Sequence, residues 1–163
     1  MANWYIDVDA SGGNDGTSWG DAWEEFDQLA WAGISAGDTI YISDGTYTTS
    51  MPTLTKSGSD GSPITIRAAQ DAGHIGVMVW DGGDGTDDAI NLNGYGYITV
   101  DGEYDGNRYF RFQNNELTSD SPFIYSVQTR GNGNIIITYC EFIDSGSGIQ
   151  IQKMTVKQIK LKY

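Results

Sequence analysis

The sequence predicts an all-β chain: a short right-handed parallel β-helix with one N-terminal amphipathic cap helix. Three observations predict it. Short apolar segments recur, among them Ile40-Tyr-Ile42, Ile64-Thr-Ile66, Ile98-Thr-Val100, Phe110-Arg-Phe112, Ile135-Ile-Ile137 and Ile149-Gln-Ile151, and most show the alternation of a strand with one buried face. From Ala89 they come in triplets, and Ile90, Ile124 and Ile149 mark successive turns, the pattern of a solenoid with three strands per coil. The 22 glycines against 3 prolines, with many Asp and Asn, suit frequent tight corners. A sandwich would also supply many short strands, but hairpin signals are poor and the triplets keep a tight corner at Gly94-Tyr-Gly96 and Gly131-Asn-Gly133.

The elements follow in order. Trp4, Ile6 and Val8 share one face of a first strand, and residues 9–17 (DASGGNDGT) form a polar loop. Ser18 with Asp21 approximates a capping box. Trp19, Ala22, Trp23, Phe26, Leu29 and Ala30 then fall at helical spacing before Gly33 and Gly37, which predicts an amphipathic helix laid over the open end of the stack. Residues 37–47 (GDTIYISDGTY) read as a short strand, a hard corner at Asp44-Gly45 and more strand, the first coil under the cap. Strands are expected over 64–68 and 77–80, each preceded by a loop, at 56–63 and 70–76, and an acidic loop covers 81–88. Residues 153–163 carry four of the nine basic residues and no acid. Two readings of this tail stand: a lysine-studded last strand that blunts edge pairing, or a chain that stops inside a longer solenoid. The expected organisation is one domain: strand and cap over 1–37, coils over 38–152 and a basic tail over 153–163.

Composition sets further bounds. The net charge of −13 argues against nucleic acid and anionic membranes as partners. Cys140 is the only cysteine, so there is no internal disulfide; its place in Tyr139-Cys-Glu-Phe142 predicts a small buried hydrophobe. No apolar run approaches membrane-spanning length, and the first residues, Met1-Ala-Asn-Trp-Tyr5, lack the basic and apolar regions of a secretory signal.

In order along the chain, Trp4-Tyr-Ile-Asp-Val-Asp9, Gly13-Asn-Asp-Gly-Thr-Ser-Trp19, the expected helix, Ala36-Gly-Asp-Thr-Ile-Tyr-Ile42, Asp44-Gly-Thr-Tyr47 and Ser62-Pro-Ile-Thr-Ile-Arg-Ala68 resemble the N-terminal part of right-handed parallel β-helix proteins of the pectate-lyase-like superfamily. That group includes polysaccharide lyases and phage tailspike-type depolymerases. The resemblance covers about residues 4–152 and rests on cap and turn motifs. It implies a polysaccharide-associated module with an acidic or neutral polysaccharide as partner and an extracellular or virion setting. The competing expectations are a structural or adhesive module without catalysis, such as a phage or virion component, and a fragment without activity of its own; self-association through the open C-terminal end is a separate expectation.

Three constellations are candidates for chemistry. Asp81, Asp84, Asp87 and Asp88 crowd one Gly-rich loop, and Asp7, Asp9, Asn14, Asp15 and Asp21 crowd another. Calcium takes six to eight oxygen ligands of this kind, and the alternative is that these residues only form turns. Asp101, Glu103, Asp105, Arg108 and Arg111 mix acids with arginine, as acid–base work on a sugar requires; of these, Asp101, Glu103, Arg108 and Arg111 are the catalytic candidates. In a solenoid Arg111 would also approach Glu141 one coil on, and the alternative is a solvated charge ladder. Tyr104 and Tyr109 are the candidate sugar-binding rings, within a set that includes Tyr95, Tyr97 and Tyr125. The lone His74 reads as structural, and Asn114-Asn115 as the start of an amide ladder between coils.

Overall fold

The computed structural model describes residues 1–83, 88–113, 124–126, 134–143 and 149–151. The chain is a parallel β-solenoid. Sheet A stacks β1 (Asn3–Ile6), β2 (Thr39–Ile42), β4 (Ile64–Ala68), β7 (Ile98–Asp101) and β12 (Ile135–Thr138). Sheet B stacks β3 (Gly45–Tyr47), β5 (Met78–Asp81), β10 (Phe110–Gln113) and β13 (Cys140–Ile143). Sheet C stacks β6 (Ile90–Asn91), β11 (Ile124–Ser126) and β14 (Ile149–Ile151). All pairings within these three sheets are parallel. The coils that begin at β4, β7 and β12 visit A, B and C in turn. In the coil of β2 and β3, the third side is met by single hydrogen bonds from Met51 to Ala89 and from Leu54 to Asn91.

Register follows from the alternation in each strand. Ile40, Ile66, Val100 and Ile137 stack one above another inside sheet A, and Tyr47, Trp80 and Phe112 do the same inside sheet B, with Phe142 packed against them. A slip of one residue would turn these side chains outward, so burial fixes the pairing. Inward residues from the sheets form one continuous core.

The cap is not the expected helix. Among the described residues only one short helical turn forms, a 3₁₀ turn at Phe26–Gln28. Ala22, Trp23, Phe26 and Leu29 are buried, but Ala30 is exposed, and Trp31 and Ile34, which the helical face omitted, are buried instead. The physical reason lies in β1, the edge of sheet A. Its backbone needs partners, and irregular chain supplies them: Tyr5 N–H donates to the Gly16 carbonyl, Asp7 N–H to the Trp23 carbonyl and Trp23 N–H to the Tyr5 carbonyl. A helix, with its own amides already paired, cannot do this. The Ser18–Asp21 pair closes a turn instead: the Ser18 hydroxyl donates to Asp21 Oδ2 at 3.0 Å and Asp21 N–H to Ser18 Oγ at 3.1 Å. Asn114-Asn115, the corner at residues 131–133 and the basic tail lie outside the described residues.

Candidate functional site

The corner between sheets A and B is turned differently in each coil. Ser43-Asp44 joins β2 to β3, and Tyr139 alone, at φ 54°, joins β12 to β13. Between them, residues 69–77 join β4 to β5, and residues 102–109 carry an antiparallel hairpin of β8 (Glu103–Tyr104) and β9 (Asn107–Arg108). The hairpin closes on Asp105 and Gly106, at φ 48° and 76°, the left-handed pair of a type I′ turn. The two insertions touch: Gln70 Nε2 donates to the Glu103 carbonyl at 3.0 Å. In repeat proteins, insertions gathered on one side commonly mark the binding side.

Beside this corner, one outward position of sheet A is occupied in five successive strands by Tyr5, Tyr41, Arg67, Asp101 and Thr138. All five are half-buried, and adjacent strands lie about 4.8 Å apart. The Tyr5 and Tyr41 rings stack at 6.0 Å and 23°. Arg67 Nε lies 3.7 Å from Asp101 Oδ2, and Arg67 donates to Glu103 Oε2 at 3.3 Å. Asp101 Oδ1 accepts the Thr138 hydroxyl at 2.9 Å and the Glu103 amide at 3.2 Å. One end of the strip is therefore aromatic and the other a network of oxygen and guanidinium groups.

The aromatic end continues onto the corner loops. The Trp19 ring lies against Tyr5 at 4.7 Å and stacks on His74 at 4.0 Å and 8°. His74 Nδ1 is 2.8 Å from Oδ2 of the buried Asp7. Asp7 Oδ1 accepts the Ser43 hydroxyl at 3.0 Å, and Ser43 Oγ shares a 2.9 Å hydrogen bond with the Tyr47 hydroxyl. Burial pushes the Tyr47 hydroxyl above its usual range, and the carboxylates of Asp7 and Asp44 push the same way.

The candidates named from sequence separate in space. Asp101 and Glu103 meet, on Arg67. Arg111 lies on sheet B and donates from Nε to Glu141 Oε2 at 2.9 Å, the contact that coil spacing predicts; both side chains are well exposed, at 38% and 41%, which makes this a modest surface pair. Arg108 is exposed on the hairpin, opposite Glu103 in register. Tyr104 and Tyr109 meet edge to face at 5.6 Å and 87°, and Tyr109 also packs on the core, so the two rings do not form one flat platform. Of the acidic loop, Asp84 and Asp87 lie outside the described residues. Asp81 accepts hydrogen bonds from Gly83 N–H and Gln113 Nε2, and Asp88 from Asn91 Nδ2. In the first loop, Asp15 accepts the Thr17 hydroxyl at 2.6 Å and its amide at 2.9 Å, contacts that hold its carboxyl below the usual range. Among the described residues no three His, Cys, Asp or Glu side chains converge to hold a metal.

Sequence reasoning missed Tyr5, Tyr41, Arg67, Trp19 and the Asp7–His74 pair as site residues. A signal for three strip residues was present. Thr39-Ile-Tyr41, Thr65-Ile-Arg67 and Thr99-Val-Asp101 align as one repeat, and the third column is the strip.

No protein-family model matches this chain, and no curated protein and no solved structure matches it either.

Proposed function

We propose that this protein is a polysaccharide-binding β-solenoid that holds a linear, neutral glycan lengthwise along sheet A. The outward strip Tyr5–Tyr41–Arg67–Asp101–Thr138 carries this reading. Aromatic rings offer apolar surface to the C–H faces of a sugar. Carboxylate, guanidinium and hydroxyl groups offer both acceptors and donors to its hydroxyls. A ladder repeating at strand spacing suits a polymer, as elongated solenoid surfaces do generally. Charge favours a neutral chain: the one cation of the strip, Arg67, already faces Asp101 and Glu103, and the protein as a whole is at −13. The resemblance to right-handed β-helix proteins of the pectate-lyase-like superfamily points to a polysaccharide, acidic or neutral. Its catalytic branch would rest on Asp101 and Glu103 beside Arg67.

Affinity electrophoresis tests the reading. Wild-type protein should be retarded in gels containing at least one of xylan, mannan, soluble starch or hydroxyethylcellulose. Arg67→Ala and Tyr41→Ala should each weaken retardation about tenfold, the size of one lost stacking or charge-assisted contact. Equal mobility of wild type with and without all four polymers would overturn the proposal in favour of a structural module. Release of unsaturated products from pectate, alginate or chondroitin would instead establish the lyase branch.

A further inference from the structure

We infer that Trp19 forms a terminal sugar subsite of the strip and that His74 is the residue that positions it. This deepens the polysaccharide reading and rests on it. Trp19 was expected on the buried face of a helix; it sits instead half-buried in a polar turn. Such a ring on an irregular loop has rotamer freedom to lose. Here three contacts remove it. The indole N–H donates to Asp71 Oδ2 at 2.9 Å, one contact is the flat stack on His74, and another is the tilted contact with Tyr5. The imidazole is itself fixed through Nδ1 to Asp7, which is only 6% exposed. Asp7 is held in turn by the Ser43 hydroxyl and by Asp9 N–H at 3.0 Å.

These contacts join two segments far apart in sequence, the first loop and the insertion after β4. The insertion is anchored separately: Asp44 N–H donates to the His74 carbonyl at 3.2 Å and Gly45 N–H to the Val77 carbonyl at 3.3 Å. Trp19 therefore does not hold the insertion in place alone. The outcome of the arrangement is an unbroken run of rings, His74–Trp19–Tyr5–Tyr41, with centroid steps of 4.0, 4.7 and 6.0 Å. It leads from the corner directly onto the strip. A rigid ring adds affinity because the ordering cost is met before the ligand arrives. The ligand class that fits is a pyranose unit at the end of the bound chain, packed against the indole.

The test uses the intact protein and the same four polymers, with tryptophan fluorescence, near-ultraviolet circular dichroism and thermal unfolding as readouts. Polymer should change the wild-type fluorescence, and Trp19→Phe should lose most of that change. Trp19→Ala should weaken binding about tenfold with cooperative unfolding retained. His74→Ala should weaken binding similarly and reduce the near-ultraviolet signal; His74→Phe, which keeps a ring for the stack, should recover most of the affinity. Unchanged affinity in Trp19→Ala overturns the subsite alone, while loss in His74→Ala without recovery in His74→Phe overturns the positioning role. Failure of wild type to bind any polymer overturns the parent reading as well. If Trp19→Ala loses cooperative unfolding, Trp19→Phe decides: an unchanged polymer-induced fluorescence change then overturns the subsite.

Discussion

Asp38 shows how one buried carboxylate can fasten a chain end. It is 4% exposed and accepts from Ala2 N–H at 2.6 Å, Ser35 N–H at 2.9 Å and the Trp4 indole at 3.3 Å. Burial disfavours its charge, but these three donors and the nearby α-ammonium outweigh that and hold the carboxyl below its usual range. A depressed folded value means the stabilisation is present above the unfolded value of about 3.9 and is lost as pH falls through the folded one. Asp38→Asn should therefore lose about 1–3 kcal/mol at pH 7, with a smaller difference from wild type below about pH 4, measured by urea unfolding. Cys140 gives the opposite sign. Burial and the Asp101 carboxylate push its thiol up from 9.0 to about 12. Its contribution is complete below 9.0 and is lost as pH rises toward 12. Stability should fall above pH 9, and Cys140→Ala should make that fall shallower by up to about 1.4 kcal/mol per pH unit. The Tyr47 hydroxyl, raised in the same direction, accounts for part of what persists.

Among the elements, the hairpin depends on a close approach. A Cβ on Gly102 would meet the Tyr139 carbonyl in the next coil and lie 2.8 Å from Phe110 Cβ, while Gly102 N–H donates to Thr138 at 3.1 Å. Gly102→Ala should destabilise by about 1–3 kcal/mol, whereas Gly106→Ala, whose site is open but whose φ is 76°, should lose less, about 1 kcal/mol; thermal melts separate the two. The strands β2, β4, β5, β7 and β10 were legible because each alternates over a buried face. Ile64–Ala68 coincides with its expectation to the residue. The hairpin was not read, although Asp105-Gly106 is its turn signal, because its strands are two residues each and exposed or half-buried, with no apolar period to find. The helix was misread because apolar spacing reports which residues are buried, not whether the intervening amides bond along the chain or across it. Trp23 is buried either way; the need of β1 for partners decided its backbone. The strip was hidden for a different reason. Its residues are 26 to 37 positions apart, and only the register between coils puts them in one line.

In the whole molecule, strand pairing joins each coil to its immediate neighbours, as expected of a quasi-one-dimensional array, and the Asp7–His74 contact reaches one coil further. Ile66 lies between Ile40 and Val100 with no exposed surface, so Ile66→Ala should lose about 2–5 kcal/mol. Hydrogen exchange should show the added opening concentrated in β2, β4 and β7 and weakest at β13. The same arrangement separates load from cargo. The A–B corner passes two residues, then nine, then eight including a hairpin, then one, yet strand pairing on either side keeps its register throughout. That makes the corner a natural attachment port. Peptides inserted at the hairpin turn, between Asp105 and Gly106, would be displayed from a fixed place on the solenoid, with the pairing of β8 and β9 left intact.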